Sequence, residues 1–105
     1  MCGEKEKMNK NIELFDSCTD CLTGEFPVLR KMAGLTQKDM GEILGVSRQT
    51  ITNIESGTSK MKWSIFLASM FIFSLNHSTS EYLKTINLPY PQLKDWLHEK
   101  QREER

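Results

Sequence analysis

The chain is short of most things that chemistry at an active site needs. Of its 105 residues, three are cysteine, two histidine and three proline. Cys18 and Cys21 form a lone C-x-x-C, whereas a structural zinc site wants four ligands, and the only supplements are Cys2, His77 and His98, at no recurrent metal spacing. No metal or other cofactor is expected. An odd cysteine count in a chain this aliphatic favours a reducing compartment, with thiols left reduced on or near an N-terminal helix. There is no nucleophile elbow, phosphate-cradling glycine loop, paired-carboxylate arrangement or histidine-metal motif, so an enzyme has nothing to rest on. A long apolar run is also missing. The best candidate, Trp63 to Leu75, is 13 residues long and interrupted by Ser64, Ser69 and Ser74. A bilayer span needs about 20 residues, so this stretch reads as a buried helix and no membrane partner is expected. Met1 to Lys10 is polar and lysine-rich with no apolar run behind it, unlike a secretory leader. The expectation is a soluble, cytoplasmic protein with one domain and a short appendage, and with no small-molecule ligand evident.

Net charge is absent too, with 14 basic and 14 acidic residues, but the balance is uneven. Residues 1–29 hold three lysines against six acids, and residues 30–62 hold six basic residues against three acids; residues 63–105 cancel. A basic middle in a neutral protein is a local electrostatic footprint, and a phosphate backbone responds to that footprint more than to the total.

No alternation of apolar and polar residues marks a strand, so the chain is all-α. The first ten residues are expected to be mobile. The first helix reads from about Cys18 or Thr23 to Ala33; Pro27 fits only a first helical turn, which puts the ordered start near Gly24 with Thr23 as cap, and Phe26, Leu29 and Met32 or Ala33 face inward with Gly34 at the end. Thr36 caps a second helix with Met40, Ile43 and Leu44 as its apolar stripe, stopped by Gly45. Ser47 caps a third, which turns Ile51 and Ile54 inward and ends at Gly57. A fourth runs from about Met61 to Leu75. Asn76 to Ser80 reads as a polar turn, Ser80 as the start of a short fifth helix, and Pro91 as the first turn of a last one bearing Leu93, Trp96 and Leu97. The organisation expected is a partly mobile extension over 1–22, a domain over 23–78 and a C-terminal helical segment over 79–105.

Gln37 to Ile54 reads QKDMGEILGVSRQTITNI. Two short helices joined by Gly45-Val46-Ser47 must cross steeply. Gly41 then lies at their closest approach, where only Gly or Ala leaves room, Gly45 takes a left-handed conformation, and Val46 plugs the corner. Together these constraints define a helix-turn-helix.

With Leu29-Arg30 before it, Leu35-Thr36-Gln37 at the second helix, Gly45-Val46-Ser47-Arg48-Gln49-Thr50-Ile51 at the turn, and Ile54-Glu55 then Gly57 after it, the stretch from 29 to 75 resembles the Cro/C1-type (XRE) helix-turn-helix family. The resemblance implies a phage-repressor-like bundle of four to five helices plus a C-terminal helix. It also implies a transcriptional regulator, in the first instance a repressor, that binds a double-stranded DNA operator through the helix Ser47–Ser56. Arg48 and Gln49 then meet base edges, Arg48 suiting guanine and Gln49 adenine; Thr50, Thr52 and Asn53 add base contacts. Gln37, Lys60 and Lys62 fall where the family holds phosphates, and Arg30 and Glu55 match a structural pair. Dimers are usual in this class, and the fourth helix is apolar almost all round, so its second face needs cover from the C-terminal segment or from a second copy. The rival is an antitoxin or interaction module that turns the same fold towards a protein partner. The exposed Arg48-Gln49 pair argues for DNA.

Overall fold

The computed structural model describes the backbone of residues 2–103 and the side chains of residues 11–100. Six helices follow one another, with no strand among the described residues: α1 (Cys2–Met32), α2 (Gln37–Leu44), α3 (Arg48–Ser56), α4 (Trp63–Leu75), α5 (His77–Leu83) and α6 (Tyr90–Glu103). The all-α architecture is the one expected, a phage-repressor-like bundle with an added C-terminal helix.

The main correction concerns α1. It starts at Cys2 rather than near Gly24, and Pro27 lies inside it, not in its first turn. A proline there removes one rung of the hydrogen-bond ladder, a cost that tertiary burial must outweigh. The burial is visible: Cys18, Leu22, Phe26 and Leu29 are all fully enclosed, at spacings of three and four residues. The expected boundary at residues 22–23 therefore falls within a continuous helix. Of the expected mobile stretch, Met1 and the side chains of residues 2–10 lie outside the described residues, while the backbone from Cys2 is helical. Of Met32 and Ala33, the alternatives for the inward position, Met32 is exposed and Ala33 half-buried. Gly34 does end the helix (φ 73°), with its own amide on the Lys31 carbonyl at 3.0 Å and the Leu35 amide on the Arg30 carbonyl at 3.1 Å. Those two bonds are the Schellman arrangement.

The core collects side chains from every element between α1 and α5. Met40 of α2, Ile51 and Ile54 of α3, Met61 of the following loop, and Ile65, Phe66 and Phe73 of α4 close over the α1 face. Phe26 and Phe73 meet edge to face, with ring centroids 5.8 Å apart. Helix α5 starts at His77, three residues before the expected Ser80, because Asn76 is an equally good cap: its Oδ1 accepts the Thr79 amide at 3.2 Å. Tyr82 of α5 ties back to α1 by donating to Glu25 at 2.6 Å. Helix α6 places Trp96 edge-on against both Phe15 of α1 and Trp63 of α4. Among the described residues no helix is long and apolar enough to cross a membrane.

Candidate nucleic-acid interface

Helices α2 and α3 owe their short, sharp boundaries to local chemistry. Thr36 closes a reciprocal capping box: its hydroxyl accepts the Asp39 amide, and the Asp39 carboxylate accepts the Thr36 amide, both at 3.0 Å. That backbone hydrogen bond holds the Asp39 carboxyl below the ordinary carboxylate range. Gly45 adopts φ 73°, and the next amide, Val46, reaches back to the Gly41 carbonyl at 2.9 Å. Ser47 then caps α3 by accepting the Thr50 amide at 3.1 Å, while the Ser47 and Thr50 hydroxyls share a hydrogen bond at 2.9 Å. Gly41 is buried under this turn. A β-carbon there would stand 2.8 Å from the Val46 carbonyl oxygen and 3.3 Å from the Arg48 amide nitrogen. Alanine is thus too large for this turn, contrary to the sequence expectation that Gly or Ala would serve. Ile43, expected in the apolar stripe of α2, faces solvent instead, leaving Met40 buried and Leu44 partly so.

A polar chain beneath the outer surface pins α3. Arg30 of α1 grips Glu55 with two donors, Nε at 2.7 Å and Nη2 at 3.1 Å, and spends Nη1 on the Leu35 carbonyl at 2.9 Å. Both side chains are about nine-tenths buried (10% and 9% accessible). Such a bidentate pair fixes two elements in one relative orientation. Glu55 also accepts from Gln37 Nε2 at 3.1 Å, and Gln37 Oε1 accepts from the Thr52 hydroxyl at 2.9 Å. The Arg30–Glu55 link follows the sequence expectation. The extension through Gln37 to Thr52 does not, since nothing local in the sequence pairs these two side chains. Gln37 nevertheless keeps a second amide hydrogen that this chain does not use.

The outer face of α3 presents Arg48 and Gln49, both exposed, with Thr50, Thr52 and Asn53 half-buried alongside. Gln49 donates to Asn53 at 2.9 Å, one helical turn on, so the two amides are presented as a unit. Arg48 has no ion-pair partner among the described residues. Past Gly57 (φ 81°) the chain turns back through Lys60 and Lys62, both exposed, into α4. Lys62 is the residue that caps α4, and its side chain makes no capping bond. The first amides of α4 therefore keep free hydrogens beside two lysines, a combination that favours an anion. Lys60 is engaged with Asp16 of α1, and this contact raises its pKa. The Asp16 contact has no local signal in the sequence, since it joins residues 44 apart through the packing of α1.

Among the described residues no group of three or more His, Cys, Asp or Glu converges on a point where a metal could sit. Cys18 is fully buried and Cys21 partly so; the side chain of Cys2 lies outside the described residues. Burial and the neighbouring Cys21 push the Cys18 thiol up to about 11, away from the range of reactive thiolates.

No curated protein and no solved structure matches the chain significantly. Residues 29–61, about a third of the chain, match the family model described as helix-turn-helix. That match covers the end of α1, the two caps, the glycine turn and the first lysine of the loop, and over this segment the chain is similar to the helix-turn-helix family.

Proposed function

We propose that the protein is a sequence-specific transcriptional regulator, acting as a repressor, that sets α3 into the major groove of an operator as a homodimer. The observation that carries this reading is the contrast between the two sides of α3. Its inner side is fixed by Ile51, Ile54 and the buried Arg30–Glu55 pair, which the half-buried Gln37 links to Thr52, and its outer side leaves Arg48 and Gln49 exposed at the helix start. Rigid support behind unsatisfied donors is what base readout requires, since a guanidinium must meet guanine O6 and N7 with both donors aligned. Arg48, Gln49, Thr50, Thr52 and Asn53 are assigned to the bases, and Gln37, Lys60 and Lys62 to flanking phosphates. The free amides at the start of α4 support the phosphate role. The segment 79–105 is assigned to the stability of the bundle and, through its exposed face, to assembly.

Selection of bound duplexes from a random pool, repeated at two salt concentrations, tests this. The expected product is a two-fold related sequence with half-sites about 10–11 base pairs apart. On that sequence Arg48→Ala should cost about 1–3 kcal/mol and relax preference at one base pair, while Lys62→Ala should weaken every sequence and reduce the salt slope by about one. Equal loss on selected and scrambled duplexes for both variants would refute the division of roles.

A further inference from the structure

The N-terminal part of α1 does more than extend the bundle. Asp16 forms an ion pair with Lys60, 44 residues away in sequence, and Asp20, one turn further along α1, adds to the negative field at the same ammonium. Both partners are substantially exposed, at 46% for Asp16 and 58% for Lys60, so the pair sits where a ligand from solvent can reach it. The backbone at Asp16 is held in place, while its exposed side chain is free to swing aside. Phe15 before it stacks on Trp63 with centroids 4.2 Å apart and lies edge-on to Trp96, and Cys18 and Thr19 after it are buried. The aromatic cluster thus fixes the backbone that carries this carboxylate beside a lysine assigned above to a phosphate.

We propose that Asp16 is a built-in competitor for DNA: its carboxylate occupies Lys60 in the free protein, so a DNA phosphate must displace it, and α1 thereby attenuates binding to any duplex. The inference rests on the reading of Lys60 as a phosphate ligand. Two charges enter in different ways. Asp16 removes a cation from the binding face, and Asp20 remains as a negative charge near the incoming phosphate once the pair is broken. The attenuation acts on the sequence-independent part of the affinity, which is the part carried by counterion release. The acidic excess of residues 1–29 against the basic excess of residues 30–62 is the same opposition on the scale of the sequence.

The test is fluorescence anisotropy with a labelled, mixed-sequence duplex of about 20 base pairs, measured over a salt series for wild type, Asp16→Asn, Lys60→Ala and the double variant. Asparagine is isosteric with aspartate, and equal thermal midpoints for wild type and Asp16→Asn show that the fold is kept. An exposed ion pair is a weak interaction, so Asp16→Asn should bind about two- to fivefold tighter. Its salt slope should stay close to that of wild type, because Lys60 meets a phosphate in both complexes once the carboxylate is displaced. In the Lys60→Ala background the same substitution should give no gain. Unchanged or weaker binding by Asp16→Asn overturns the competition, and so does a gain that persists without Lys60, which would mark diffuse repulsion. If neither wild type nor Asp16→Asn binds duplex at any salt, the DNA-binding reading falls together with this inference. If both bind equally, only the inference falls.

Discussion

Gly41 makes the tightest single demand in the helix-turn-helix. The contact that a β-carbon would meet at 2.8 Å is a backbone carbonyl, which cannot swing aside as a side-chain end can. Gly41→Ala should gain slightly in helix propensity and lose more by forcing the α2–α3 turn open, for a net destabilisation of about 1–2 kcal/mol. Urea denaturation measures it; a variant as stable as wild type would mean that the turn relaxes freely. Cys18 makes a different prediction, one of pH. Its folded pKa of about 11 lies above the ordinary 9.0, because burial and the nearby Cys21 disfavour the thiolate. A group raised on folding contributes stability that is present below its unfolded pKa and is lost as pH rises towards the folded one. The stability advantage of wild type over Cys18→Ala should therefore shrink between pH 9 and 11, read as converging urea midpoints. Midpoints that stay parallel across that window would refute the assignment. The same burial predicts that Cys18 resists alkylation in the native protein.

At the scale of elements, what could be read from the sequence depended on whether the signal was local. Thr36, Gly45, Ser47 and Gly57 bound α2 and α3 through contacts within a few residues, and those boundaries are where the caps place them. Helix α1 extends beyond what the sequence predicts because Pro27 resembles a start signal. The competing signal was present, since Leu14, Cys18, Leu22 and Phe26 recur every four residues and all four pack in or against the core. Core burial outweighed the lost hydrogen bond. Helix α5 was started late for the opposite reason, two adequate caps lying four residues apart. The candidate site divides in the same way. Arg48 and Gln49 follow from the turn pattern, whereas the Gln37–Thr52 and Asp16–Lys60 contacts join residues 15 and 44 apart and depend on how helices pack. Pro27 itself gives the element-scale prediction. Pro27→Ala restores an amide to the ladder of α1 and should raise stability, by at most about 3 kcal/mol, without changing the helical content seen by circular dichroism. A less stable variant would show that the proline is needed to bring Leu22 and Leu29 onto one core together.

For the whole molecule the open question is the second face of α4, and the packing of α6 narrows it. Trp96 is spent inside the chain against Phe15 and Trp63, and Tyr82 and Leu83 turn towards α1 and the core. None of these covers the stripe of Leu67, Phe71 and Leu75, which remain 51%, 62% and 69% exposed. Residues four apart lie on one helical face, so the three form a continuous ridge about 12 Å long, flanked by serines and free of charge along α4. An uncharged ridge can meet its own copy across a two-fold axis without like-charge repulsion. Six such side chains from two copies contribute on the order of 6–10 kcal/mol, against association costs of roughly 4–15 kcal/mol. Taken at the favourable end of both ranges, a surplus of about 6 kcal/mol remains, which predicts a reversible dimer with a Kd no tighter than about 40 µM, strengthened when both copies occupy one palindromic site. Sedimentation equilibrium across that range, with and without the selected duplex, measures it. Phe71→Glu should leave the fold intact and abolish the dimer, since the side chain points to water in the single chain. Leu97→Glu, also at an exposed site but on α6, should dissociate the protein only if the C-terminal helix forms the contact. A wild type that stays monomeric even on a palindromic duplex, bound one copy at a time without cooperativity, would refute the homodimer.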